Sequence, residues 1–256
     1  MSPKTAAPAA LAVEPENIRE VSALKVRIKF SKNGAMKFIG HLDIMRYFQK
    51  AIRRAGIDIA YTEGFSPHMV MSFANPLGVG LTSDGEYFDI EIRTPISSKE
   101  AVQRLNDTMV KGIQILSFRQ VPDEKASKAM ALVAAADYVV KFREGSAPEG
   151  WQEKVNGFLA QDSIKVVKTT KKKEEEIEIR PLIYEMHLTD DQGIFLKLSS
   201  GSACNIKPEL ALEAFAAYAG FEIPEFGLLI HRKEVYARSL EGNRFVSLES
   251  LGEEIG

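Results

Sequence analysis

The sequence predicts an α+β protein of two tandem ferredoxin-like (βαββαβ) units, the second with an added strand. Three observations carry that expectation. Apolar residues alternate with polar ones over several short stretches, they recur at helical spacing over a few longer ones, and the order strand, helix, strand, strand, helix, strand is met twice along the chain. At 256 residues and 45% hydrophobic, the chain can bury two modest cores. The expected organisation is an Ala/Pro-rich disordered tail over residues 1–22, a first unit over 23–122, a linker over 123–135 and a second unit over 136–256.

In the first unit, residues 24–30 place Val26, Ile28 and Phe30 on one side and Lys25, Arg27 and Lys29 on the other, the mark of a half-buried strand. Leu42, Met45, Phe48 or Gln49, Ile52 and Ala55 then recur at helical spacing, and Gly56 ends the helix. Residues 57–62 read as the second strand, extended by 70–73, and residues 86–93 alternate again with Phe88, Ile90 and Ile92 inward. Ser97 and Ser98 are hydroxyl caps for a helix over 99–109, and residues 113–121 close the unit. In the second unit, residues 136–142 form the first strand and 148–160 a helix carrying Trp151, Val155, Phe158 and Leu159. Residues 163–170 make a strand. Residues 177–188 return, interrupted at Pro181, which lacks a ladder donor. Asp190–Gly193 is a hairpin turn into a strand at 194–198. Pro208 opens a helix that Gly220 ends, and 228–237 is the last strand.

Composition excludes several classes. Thirty-three Lys and Arg against thirty-five Asp and Glu give a net charge of −2, so anion binding has to be local rather than a property of the whole surface. The single cysteine, Cys204, permits no disulfide framework and no multi-cysteine metal or cluster site within the chain. The chain has no apolar run of membrane-spanning length, and its start lacks the pattern of a signal peptide, so a cytoplasmic protein without membrane attachment is expected. No P-loop, GxGxxG or HExxH occurs, and neither a cofactor nor a metal is expected.

The chemistry-bearing residues gather between Phe38 and Asp89. Arg46, Lys50, Arg53 and Arg54 stand at i, i+4, i+7 and i+8 and share one helix face, a track of cations suited to phosphates, with only Asp43 to offset them. A solvated face is the plainer reading of the same pattern. His41 lies at the entrance of that helix. Gly64, Phe65, Ser66, Pro67 and His68 form a turn in which glycine supplies the backbone freedom. His41 and His68 are of the type that exchanges protons near neutrality, and they are weak candidates for acid and base on a phosphodiester. Capping and loop ordering are the simpler roles. Lys171, Lys172 and Lys173 form a second cationic cluster at an expected hairpin tip. On the sheet, Lys25, Arg27 and Lys29 are expected opposite Asp89, Glu91 and Arg93, where cross-strand pairing would consume the charges rather than leave a base-stacking platform.

The run VRIKFSKNGAMKFIGHLDIMRYFQKAIRRAG, the turn GFSPH, the loop LGVG and the strand EYFD, in that order, resemble a family of radical-SAM-linked proteins found alone or fused behind a cobalamin-binding radical SAM enzyme. The resemblance is close over residues 25–92 and looser beyond, through 173–183 and the helix at Pro208. Gly40 stands where the family usually has Ser. The biochemical function of the family is unknown, and its association implies a partner or substrate-presenting role beside a radical SAM enzyme. This chain lacks the CxxxCxxC needed to hold the radical SAM cluster itself.

Three readings follow. The first is a non-catalytic protein that binds a structured RNA, such as tRNA or ribosomal RNA, and presents it to a radical SAM modifying enzyme. The second is a metal-independent endoribonuclease of tandem ferredoxin-like type using His41, an analogy of fold order with the enzymes that process CRISPR repeats. The third is a protein–protein interaction module without nucleic acid.

Overall fold

A computed structural model describes residues 23–169, 174–202, 204–239, 241–242 and 244–256; the expected tail and the Lys171–Lys173 cluster lie outside these residues. The chain runs β1 (Leu24–Lys32), α1 (His41–Arg54), β2 (Met71–Phe73), β3 (Thr82–Ile92), α2 (Ser98–Asn106) and β4 (Ile113–Gln120). After these come a short α3 (Ala129–Leu132), β5 (Val133–Phe142), α4 (Val155–Leu159), β6 (Lys165–Thr169), β7 (Glu174–Glu178), β8 (Ile183–Leu188) and β9 (Ile194–Ser199). The chain ends with α5 (Pro208–Ala219), β10 (Leu228–Arg238), β11 (Phe245–Ser247) and β12 (Glu253–Glu254). The fold is mixed α+β, with few helices and one large, mainly antiparallel sheet.

That sheet has the order β12-β4-β1-β3-β10-β5-β9-β8, with β2 added to β3 and β11 to β10. Its first half is β4-β1-β3-β2 and its second half β10-β5-β9-β8. The halves meet at the one parallel step, where His231 and Arg232 of β10 pair with Thr82 and Ser83 of β3. Close approach there demands Gly85, because a Cβ would come within 2.8 Å of the Lys233 carbonyl and 2.9 Å of the Glu234 Cα.

Each half has its own apolar core. Ile44, Phe48, Ala51 and Ile52 are the buried residues of α1, and Phe48 packs edge-on to Phe30 at 4.7 Å and tilted on Phe88 at 4.7 Å. In the second half Trp151, Phe158 and Phe215 join the strand residues Leu196, Leu198 and Val235. Burying an aromatic or large aliphatic side chain of this kind contributes about 1.5–3 kcal/mol.

Local departures from expectation have local causes. Residues 57–62 make only two isolated bridges, Ile59 to Ile92 and Tyr61 to Met69, and the strand on β3 is the shorter β2. One edge of the eleven-residue β3 is shared, its start pairing with β10 and its middle with β2, which leaves a single position for residue 59. The helix expected over 148–160 is α only from Val155, after a 3-10 turn. Gly150 ahead of it is left-handed at φ 69°, and Gly157 within it lies against the Tyr218 hydroxyl. The strand expected over 163–170 is β6, which among the described residues pairs with β7 alone, in a two-stranded sheet separate from the main one. Pro181 turns the chain between β7 and β8 through one 3-10 turn.

The charged face of β1 is interior. Arg27, 2% exposed, donates from Nε and Nη2 to the two Asp89 carboxylate oxygens at 2.9 and 3.1 Å, as cross-strand pairing predicts. The backbone of the following segment closes over the pair: Arg27 donates to the Ser127 and Leu248 carbonyls, and the Ala129 N–H donates to Asp89. Lys25 stands opposite Glu91 and Arg27 opposite Asp89, within the expected set, whereas Lys29 departs from it, and neither lysine makes its ion pair with the residue opposite. Lys25 pairs with Asp123, and Lys29, opposite Tyr87, donates to Glu234 and Glu249 from the second half. Among the described residues this face offers no base-stacking platform, because the chain itself covers it.

Candidate functional site

The outer face of α1 is the most cationic surface that the sequence singled out. The apolar residues of the helix point into the core, so Arg46, Lys50, Arg53 and Arg54 are all solvent-exposed. Arg46 makes an exposed pair with Asp43 at 3.3 Å, and Arg54 donates to the Thr108 carbonyl at 3.3 Å. Lys50 and Arg53 have no ion-pair or hydrogen-bond partner among the described residues. Two cations are therefore free, and two are held by contacts that water readily replaces. Arg53 and Arg54 also occupy the last turn, where the helix dipole favours positive charge.

The Gly64–His68 turn stands wholly in solvent. Phe65 is 109% exposed, and Gly64 takes a φ of +107° with nothing within 4 Å of where a Cβ would stand. The His68 ring faces the Thr62 hydroxyl, Nδ1 to Oγ1 at 3.0 Å, and the His68 N–H donates to the same oxygen at 3.2 Å. His41 sits elsewhere, edge-on to Phe73 with ring centroids 5.1 Å apart. No contact joins the two histidines among the described residues.

Beneath His41 lies a small recess of about 10 Å³ that Lys32, Phe73 and Glu86 help line, room for one water molecule at most. Lys32 is buried and donates to the Ile39 carbonyl at 2.8 Å. Burial pushes its ammonium below the ordinary lysine range, although Glu86 opposes the shift. Glu86 is itself held by Arg232, which donates to it at 2.7 and 2.5 Å and to the Asn75 carbonyl at 2.6 Å. These groups lock the seam between the halves.

A second constellation on that seam was not legible in the sequence. Thr82 and Asp84 are two residues apart on β3 and so share a face, with His231 of β10 between them. The Thr82 Oγ1 lies 2.8 Å from His231 Nδ1, and His231 Nε2 lies 3.0 Å from an Asp84 carboxylate oxygen. Burial pushes the Asp84 carboxyl up, but Lys233 at 2.6 Å and His231 outweigh it and hold the group below its ordinary range. Thr82 and His231 open on a cleft of about 400 Å³ that Lys37, Lys141 and Lys233 also line. The pairing spans 149 residues of sequence, and no local pattern announces it. Among the described residues, no three His, Cys, Asp or Glu side chains are grouped to hold a metal ion.

A mixed α+β protein with one large sheet and an exposed cationic helix is the class these features define. Residues 25–208 match the family model for an uncharacterized protein conserved in bacteria (DUF2344), and the chain belongs to that family. No curated protein matches the sequence. Among solved structures, a chain of a Cbf5–Nop10–Gar1 complex is similar at 9% identity and a TM-score of 0.40, over 82% of this chain and 48% of that one. The protein thus spans about half the length of that neighbour. An unknown protein from Galdieria sulphuraria is similar at 15% identity and a TM-score of 0.24, over 82% of this chain and 97% of the other. At such scores neither likeness carries a functional argument. No helix among the described residues is long and apolar enough to cross a membrane.

Proposed function

We propose that the protein is a non-catalytic, cytoplasmic RNA-binding partner that presents a structured RNA, of the tRNA or ribosomal RNA kind, to a cobalamin-type radical SAM modifying enzyme. The observation that carries this reading is the outer face of α1, where Lys50 and Arg53 are exposed without partners between the loosely held Arg46 and Arg54. Four cations along one helix face form a local track that attracts a phosphate backbone regardless of the −2 net charge. The exposed ring of Phe65 supplies a surface on which an unpaired base can stack. The radical SAM partner comes from the resemblance of residues 25–92, and each half of the sheet is read as one ferredoxin-like unit.

His41 and His68, with separate surroundings, leave the chemistry to the partner enzyme. The test is a binding titration of purified protein against bulk tRNA and against ribosomal RNA at several salt concentrations, followed by a gel of the recovered RNA. The reading expects binding that weakens steeply with salt and RNA that stays intact. Absence of salt-dependent binding to both tRNA and ribosomal RNA would sink it, and cleavage lost in His41→Ala would replace it with the ribonuclease reading.

A further inference from the structure

Between the halves, away from the outer face of α1, runs a larger cleft of about 1180 Å³. One wall is residues 37–38 and 79–81 of the first half, and the other is α5 with the segment that follows it to Leu228. The base is apolar, with Leu81, Ala216 and Ile230 among its residues. The rim is acidic: Glu209 and Glu213, four apart on α5, and Glu222 and Glu225 beyond it face only Lys37 and Arg143. None of the four carboxylates has an ion-pair or hydrogen-bond partner among the described residues.

Phe226 marks the same rim. Its φ of +57° lies in the left-handed region, which an aromatic residue seldom adopts, and its ring is 78% exposed. Such a conformation persists where surrounding contacts impose it. Here Arg143 donates from Nε to the Phe226 carbonyl at 2.7 Å, the Arg143 N–H donates to the Gly227 carbonyl at 2.8 Å, and the Gly227 N–H donates to the Pro224 carbonyl at 2.8 Å. The turn therefore holds an apolar ring out into water beside Phe38, itself 66% exposed across the cleft. Isolated exposed rings are common on protein surfaces, but two rings flanking an apolar cleft ringed by unpaired carboxylates form a recognition surface.

We propose that this cleft docks a basic amphipathic segment of a partner protein, whose apolar side enters between Phe38 and Phe226 and whose Lys or Arg side chains meet Glu209, Glu213, Glu222 and Glu225. Charge complementarity selects that occupant: nucleic acid would be repelled by the rim. The inference does not rest on the RNA reading, since it uses a different surface of opposite charge.

The experiment is fluorescence anisotropy of the full-length protein with a fluorescein-labelled peptide carrying Leu and Lys at amphipathic helical spacing. A scrambled peptide of the same composition and a Leu/Glu peptide of the same pattern serve as comparisons. The expected result is salt-dependent binding of the Leu/Lys peptide, at least about tenfold tighter than either comparison. The triple change Glu213→Gln, Glu222→Gln and Glu225→Gln should weaken it about tenfold. Phe226→Asn removes the ring while tolerating the same backbone conformation, and should weaken it comparably. Both variants should bind tRNA like the parent. Equal binding by the scrambled peptide, unchanged binding by both variants, or a dimer dissolved by Phe226→Asn would overturn the proposal; the last would assign the cleft to a second copy of this chain.

Discussion

Buried charge sets the residue-scale behaviour. Asp89 holds the Arg27 guanidinium by two bonds and also accepts the Ala129 N–H, so removing the arginine strands a carboxylate inside the protein. Arg27→Met should cost about 3–5 kcal/mol in denaturant unfolding, and adding Asp89→Asn, which keeps an acceptor for Ala129, should recover more than half of it. Asp137 presents the converse case. Burial pushes its carboxyl up further than the Tyr236 hydroxyl and Lys197 pull it down, and one of its oxygens has no hydrogen bond. A raised folded-state value means that stability is lost as pH rises through it and is fully present below the unfolded value of about 3.9. Asp137→Asn should therefore raise the melting temperature at pH 7, with the gap closing as pH falls towards 4. A variant no more stable than the parent at pH 7 would contradict this assignment.

At the scale of elements, what the sequence discloses is what local chemistry decides. Ser97 accepts the Glu100 N–H at 3.2 Å as an N-cap, Gly220 ends α5 at φ 80°, and Phe48, Ile52 and Ala55 of the expected recurrence are buried on the inner face of α1, although Leu42 of the same series stands 60% exposed and Ile44 and Ala51 are buried instead. Elements fixed by crowding rather than by pattern are not legible: residues 57–62 are apolar enough for a strand, yet the edge of β3 is already occupied. The Gly64 turn belongs with the legible features, since its positive φ is the property that selects glycine. Gly64→Val should cost about 1–3 kcal/mol from backbone strain alone, because nothing stands within 4 Å of the new Cβ. Thermal unfolding of the purified variant measures it, and a melting temperature equal to the parent's would show the turn relaxing without strain.

In the whole molecule, the seam is where reading from sequence runs out. Among the described residues of the main sheet only β2–β3, β8–β9 and β10–β11 are neighbours through short connections, and β3 meets β10 across some 149 residues of sequence, through Gly85, Arg232, Glu86 and His231. Gly85 resembles any strand glycine until the Lys233 carbonyl is placed 2.8 Å from its missing Cβ. Gly85→Ala should destabilise the protein by about 1–3 kcal/mol through forced displacement of β10. Denaturant unfolding is the check, and a stability equal to the parent's would mean that the seam yields without cost. The cationic face of α1 was legible as a stripe, and the structure adds that two of its four charges are free.

The central claim, that this stripe holds RNA by its phosphates, is tested most directly by the salt dependence of tRNA binding in the parent and in Arg46→Gln/Lys50→Gln/Arg53→Gln/Arg54→Gln. The fold should survive, because these side chains are exposed and the apolar face of α1 is untouched. Binding by the variant should be weaker, with a slope of log affinity against log salt that is shallower by roughly 0.7–0.9 for each phosphate no longer neutralised. A folded variant with the parent's affinity and the parent's slope would contradict the claim.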